Sequence, residues 1–286
     1  MPDKSQRPQT TARIIKPEGK FGNSIRATGS VQSLTRALWL LNCLAEHVHG
    51  LSLSEVARKV GLPTSTAHRL LTTLQNERYV RFEAERSVWL IGVQAFQVGA
   101  SFMRSRDLAG AARPYMRRLM ELSGETVNLA ISDNGQVVYL AQVECQKVMR
   151  AITGPGGRAH MHNSAVGKAM LAWAPPETLE RLVAVHGMPR ETPKTIVTED
   201  ALAASLSKTR RLGYAVDNEE NAIGMRCVSS AIFDENGCAM AAISVSGPVA
   251  RILEKSVPVL GKEVVKIAYE IIQQLGGHLP EDHPRY

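Results

Sequence analysis

The chain has 286 residues, a formal net charge of +7, 44% hydrophobic and 5% aromatic residues. That length suggests two domains with separate cores, and no apolar run or opening signal pattern supports a membrane-spanning or secreted chain. The scarcity of aromatics argues against a stacking platform for single strands, and the scattered Cys43, Cys145, Cys227 and Cys238 fit free thiols in a reducing cytoplasm, with no metal or cofactor expected.

The charge is unevenly placed. Residues 1–104 hold 14 Lys+Arg against 7 Asp+Glu, whereas residues 105–286 hold 20 of each. A basic module joined to a neutral one suits phosphate neutralisation at one end. Residues 1–29, rich in Pro, Gly, Lys, Arg, Ser and Thr, read as a flexible basic arm that touches phosphates. A first helix over 31–46 puts Leu34, Leu38, Leu41 and Ala45 on one side.

A winged helix-turn-helix domain is expected over 30–91. Ser52-x-x-Glu55 is a capping box at a helix start, followed by the apolar stripe Val56, Ala57, Val60 and the terminator Gly61. Pro63 stands in the first turn of a second helix that keeps Ala67, Leu70, Leu71 and Leu74 inside. Its outer face carries Thr64, Ser65, Thr66, His68, Arg69 and Thr72, a polar and basic surface suited to a major groove. Strands near Val80–Phe82 and Val88–Ile91 form the wing, from which Arg81 or Arg86 reaches the phosphate backbone. Residues 92–104 read as a linker helix with Phe96, Ala100 and Met103 on one side, packed on the first domain or on a second copy.

Residues 105–278 read as a mixed α+β sensor, leaving 279–286 as a tail. A helix at Ala111–Ser123 leads to strands Val127–Ser132 and Val137–Val143, turned by Asp133-Asn134-Gly135. Helices follow at Ala165–Trp173, Pro176–His186 and Asp200–Leu212. A second hairpin pairs Cys227–Phe233 with Met240–Ser246, and a last helix spans Val257–Leu275. The expected arrangement is an antiparallel sheet with helices at its edge.

The runs VQSLTRALWLL, GLPTSTAHRLLTTLQNERYV, SGETVNLA, MHNSAVGKAM, DNEENAIGMRC, IFDENG and AAISVSGPVARI resemble the IclR family of bacterial transcriptional regulators, from about Val31 to about Gly277. Within it the chain is most similar to the regulators of the glyoxylate bypass and of allantoin use. The resemblance implies a winged helix-turn-helix, a linker helix and a GAF-like effector domain. It implies homodimers or homotetramers on palindromic operator DNA, and a family holding both repressors and activators. A small carboxylic acid effector is implied at Ala165 and Val166 (backbone amides at a helix start), Asp217, Cys227, Ser244 and Ser246. Asp217 would repel an anion unless it is protonated or bonded to the ligand's hydroxyl. Ala151 and Ala159 replace bulky apolar residues of the glyoxylate-bypass relative, which opens one wall to a larger acid, while Val166 narrows the helix-start end.

Other readings of these residues stand beside that one. Cys227 is also a typical small core residue, and Ser244 and Ser246 could satisfy neighbouring backbone. Glu219 and Glu220 read as capping or solvating a loop. His160 and His162 lack further ligands at metal spacing. For an enzyme, Cys145 or Cys227 with His160 or His162 is the candidate set, and no catalytic residue is assigned. No G-x-S-x-G or G-x-G-x-x-G occurs, and Gly167-Lys168 departs from a phosphate loop at His162 and Ala169.

Overall fold

The computed structural model describes residues 31–105, 108–147 and 154–284, the side chains of 100–105 excepted. The expected arm at 1–29 therefore lies outside the described residues. The chain divides into two compact units between Arg106 and Asp107.

The first unit runs α1 (Gln32–Ala45), α2 (Leu53–Val60), α3 (Thr64–Asn76), β1 (Val80–Glu83), β2 (Val88–Ile91) and α4 (Val93–Ser105). The Ser52 hydroxyl accepts from the Glu55 N–H at 3.4 Å while the Ser52 N–H donates to the Glu55 carboxylate at 2.9 Å, so the box closes. Gly61, at φ 73°, ends α2 in the left-handed region. Pro63 stands one residue before α3 rather than inside it. Leu40, Leu44, Val56, Ala67 and Leu71 fill the core with Val80 and Trp89, and Leu51 bridges to Trp89 beside the β1–β2 hairpin.

Of the α1 stripe Leu34, Leu38, Leu41 and Ala45, Leu41 packs against the core. Leu34 and Leu38 are 59% and 49% exposed, while Leu40, Cys43 and Leu44 are buried. The core side of the helix is Leu40, Cys43 and Leu44 with Leu41 beside them, and Leu34 and Leu38 face outward. On α4, Phe96 is 72% exposed; Ala100 and Met103 lie outside the described side chains.

The second unit holds α5 (Leu108–Ser123), β3 (Thr126–Asp133), β4 (Gln136–Val143), β5 (Arg158–His160), α6 (Ala165–Leu171), α7 (Pro176–His186), α8 (Glu199–Leu212), β6 (Ala215–Asn218), β7 (Met225–Phe233), β8 (Ala239–Pro248) and α9 (Val257–Leu275). Six strands form one antiparallel sheet in the order β5-β4-β3-β8-β7-β6. Asp133 pairs with Gln136 across Asn134 and Gly135, both at positive φ, a two-residue turn that matches strand twist.

The helices lie on the faces of the sheet, not at its edge. Alternation sends Val127, Leu129, Val228, Ile243 and Val245 to one face, against α5 and α9. The other face carries Ala130, Ala215 and Ala242, which join Val166, Ala169 and Met170 of α6 in a second apolar cluster. Gly167 permits the close approach over α6, since a Cβ there would stand 2.3 Å from the Met161 carbonyl oxygen. Residues 279–284 are docked rather than trailing: His283 stacks on Trp173 and meets Phe233 edge-on.

Candidate DNA interface and effector site

The buried side of α3 fixes what its other side presents. Ala67 and Leu71 are fully buried, so at 100° per residue Ser65 and Arg69 fall on the far side, both exposed. Thr64, His68 and Thr72 look toward the wing instead. They line a groove of about 550 Å³ with Ser54, Gln75 and Phe82, and His68 meets Trp89 edge-on at 6.4 Å. Thr66 is half-buried on the opposite flank. The six helix residues therefore divide among three sides of the helix: Ser65 and Arg69 outward, Thr64, His68 and Thr72 toward the wing, and Thr66 on the other flank. Gln75, Ser54 and Ser87 join the groove without having been expected, because the wing that completes it comes from later in the chain.

Both wing arginines are tied to one carboxylate. Arg81 lies 3.3 Å from Glu83, and Arg86 pairs with the other Glu83 oxygen while reaching the His49 carbonyl at 3.4 Å. The guanidinium groups stay about half exposed, so phosphate could replace Glu83 without unfolding anything.

In the second unit, register brings distant residues into line. Asp217 stands opposite Cys227, Cys227 opposite Ser246, and Ser246 opposite Thr126, in one row across β6, β7, β8 and β3. Two residues along, on the same face, Ser229, Ser244, Asn128 and Gln142 form a second row. Both rows lie on the α6 side of the sheet. Ser164 caps α6 by accepting from the Gly167 N–H at 3.2 Å, and Ala165 and Val166 form the first turn beside it. Ala159, on β5, shares the apolar cluster of Val166 and Tyr139. Ala151 lies outside the described residues.

Electrostatics single out Asp217, which is 2% exposed. Desolvation above all, opposed by Lys168 and by the N–H groups of Glu220 and Asn221 and aided by the charge of Glu220, leaves its pKa raised to about 7. Those two N–H groups donate to Oδ1 at 2.7 and 3.3 Å. Desolvation, then the neighbouring Asp217, also push the Cys227 thiol up, and desolvation pushes the Tyr139 phenol up. Cys227 is thus a neutral thiol here, poorly suited to nucleophilic attack.

Glu220 does not solvate a loop. It is 7% exposed, and both its oxygens accept from Lys168 Nζ, at 2.5 and 2.6 Å, while Nζ also donates to the Val216 carbonyl at 2.6 Å. Glu219 does hold the loop, bonding Lys194 and the Gly224 N–H. The rings of His160 and His162 are 5.5 Å apart, and desolvation lowers His162 to about 4. Among the described residues no group of three or more His, Cys, Asp or Glu could hold a metal ion, and no helix is long and apolar enough to cross a membrane.

Comparison with known proteins places this geometry. Residues 33–84 match the profile of the IclR helix-turn-helix domain, and residues 100–273 that of the bacterial transcriptional regulator IclR C-terminal domain. The chain is 44% identical over 253 residues to the transcriptional repressor IclR of Escherichia coli K12, covering 88% of this chain and 92% of that one. It is 38% identical over 250 residues to the repressor AllR of the same strain, covering 87% and 92%. The Thermotoga maritima IclR structure superposes with a TM-score of 0.71 at 29% identity, over 85% of this chain and 98% of that one. An IclR homologue from Microbacterium hydrocarbonoxydans, solved with 4-hydroxybenzoate, shares the fold with a TM-score of 0.76 at 23% identity, over 85% and 98%. These relatives bear the names of regulators rather than enzymes. With a helix-turn-helix at one end and the characteristic C-terminal domain at the other, the chain belongs to the IclR family of bacterial transcriptional regulators.

Proposed function

We propose that the chain is a repressor that binds palindromic operator DNA as a homodimer or a pair of homodimers and is modulated by a small carboxylic acid. The observation that carries the effector assignment is the row Asp217–Cys227–Ser246, set beside an apolar helix where a plain core would bury hydrocarbon. A carboxylate would take the Ala165 and Val166 amides and the hydroxyls of Ser244 and Ser246, and Asp217 in its protonated form would donate to it or accept from a ligand hydroxyl. The names of relatives, among them the acetate operon repressor of Salmonella typhimurium, favour repression of a catabolic operon.

For DNA, Ser65 and Arg69 stand nearest the bases. Thr64, His68 and Thr72 flank that line on the wing side and Thr66 on the other, while Arg81 and Arg86 meet phosphates. The outer stripe of Leu34 and Leu38 and the bare Phe96 favour a second copy as the covering partner, which would relate two half-sites by a two-fold axis. Effector must prefer one arrangement of the dimer to alter operator affinity.

The test is a thermal-shift screen of the full chain with pyruvate, glyoxylate, dicarboxylates and 4-hydroxybenzoate. A ligand at about 100 times its dissociation constant adds about 2.7 kcal/mol. A shift abolished by S246A supports the assignment, and one that survives it removes this row from the site. In parallel, R69A should narrow the gap between operator and scrambled DNA. An equal loss on both would make Arg69 a phosphate contact.

A further inference from the structure

Ser246 is held by a neighbour that lies outside the expected effector set. Asn128, on β3 and 2% exposed, donates from Nδ2 to Ser246 Oγ at 3.2 Å. Its Oδ1 accepts from Gln142 Nε2 at 2.8 Å. With the Gln142 amide held as it stands, turning the Asn128 amide over would set two amide nitrogens against each other, so the orientation of Gln142 sets which end of Asn128 faces Ser246. We propose that Asn128 is a positioning residue of the effector site, orienting the Ser246 hydroxyl as a donor toward an incoming carboxylate. This rests on the acid site proposed above.

The argument is one of hydrogen bookkeeping. A serine hydroxyl has one hydrogen and two lone pairs, and the Asn128 amide occupies a lone pair. The hydrogen must point elsewhere. The nearest group across the strand pair is the Cys227 thiol, directly opposite on β7, with Asp217 opposite it in turn on β6. Thiol sulfur is a weak acceptor, so without ligand the Ser246 hydrogen has a poor partner. A carboxylate replaces that partner with a charged one, and charge-assisted bonds are about twice as strong as neutral ones. Were Asn128 an acceptor, it would take the same hydrogen and leave the ligand none. The relay Gln142–Asn128–Ser246 therefore selects an anion over a ligand that only donates.

The experiment is a double-mutant cycle on the full chain, with pyruvate as the calorimetric probe. N128A should weaken pyruvate about tenfold, the cost of one charge-assisted bond. In an S246A background the same change should cost less than about twofold. N128D keeps the shape and the bond from Gln142 but makes the residue an acceptor, and it should weaken pyruvate at least as much. If N128A fails to fold, N128D with S246A supplies the cycle. Equal costs in both backgrounds, or an unaffected N128D, overturn the role of Asn128. If D217N still alters the pH profile of binding in that case, the acid site stands without it. If pyruvate does not bind, the acid of the thermal-shift panel that does bind takes its place in the cycle. No binding of pyruvate, glyoxylate, dicarboxylates or 4-hydroxybenzoate to the wild-type chain, or no effect of D217N, overturns the acid site and this role with it.

Discussion

Lys168 spends its ammonium on Glu220, 2.5 and 2.6 Å from the two carboxylate oxygens, with the lysine side chain 1% exposed. The pair joins α6 to the loop after β6, the two elements that bracket Asp217. Removing one partner of such a pair leaves a buried charge without compensation. K168M should cost on the order of 3–5 kcal/mol in urea unfolding, with part recovered in K168M/E220Q. A loss under about 1 kcal/mol would show that water reaches Glu220.

With burial pushing the pKa of Asp217 up to about 7, acid binding at the proposed site should depend on pH. Below that value the carboxyl is neutral and the affinity for an acid should be flat. Above it, each pH unit should weaken binding about tenfold, because a proton must be taken up with the ligand. D217N should level the profile. Folding follows the same sign: the unfolded carboxyl titrates near 3.9, so the contribution of Asp217 to stability is present below that value and lost as pH rises through about 7.

Glu83 pairs with both wing arginines and would compete with phosphate in the proposed DNA contact. E83Q should raise affinity for operator and scrambled duplexes alike, and steepen the salt dependence by roughly one unit of log–log slope. Filter binding across a salt series reads both quantities. An unchanged slope would mean that the wing stays off the phosphates.

Ala159 pairs with Val137 on the β5 edge and shares the cluster of Val166. A159L should shift effector preference toward smaller acids, or lower stability by about 1–3 kcal/mol through overpacking if no ligand space adjoins it. Comparing melting temperature and ligand profile separates the two.

What the sequence made legible was chiefly local. The Ser52–Glu55 box, the Gly61 stop, the Asn134-Gly135 turn and the last helix are short-range signals, and each formed where expected. The strands β5 and β6, three and four residues long, are too short for a period to declare itself. The α1 stripe was legible as an apolar side, but its covering was not: periodicity does not say what packs on a face, and only Leu41 of the stripe joins Leu40 and Leu44 at the core. Within the candidate site, Ser244 and Ser246 were visible as alternate residues of one strand. Asn128 was not, because its bond to Ser246 spans 118 residues and exists only once the β3–β8 register is set. Glu220 and Lys168, 52 residues apart, were hidden in the same way.

The two faces of the six-stranded sheet divide labour in a manner that bears on descent. Large aliphatics such as Val228, Ile243 and Val245 anchor α5 and α9, whereas the α6 face offers Ala, Ser, Cys and Thr at neighbouring positions. Exchanging one small residue for another there leaves the aliphatic core untouched. A lineage can therefore trade one metabolite signal for another by few mutations while the scaffold and its DNA-reading partner stay in place.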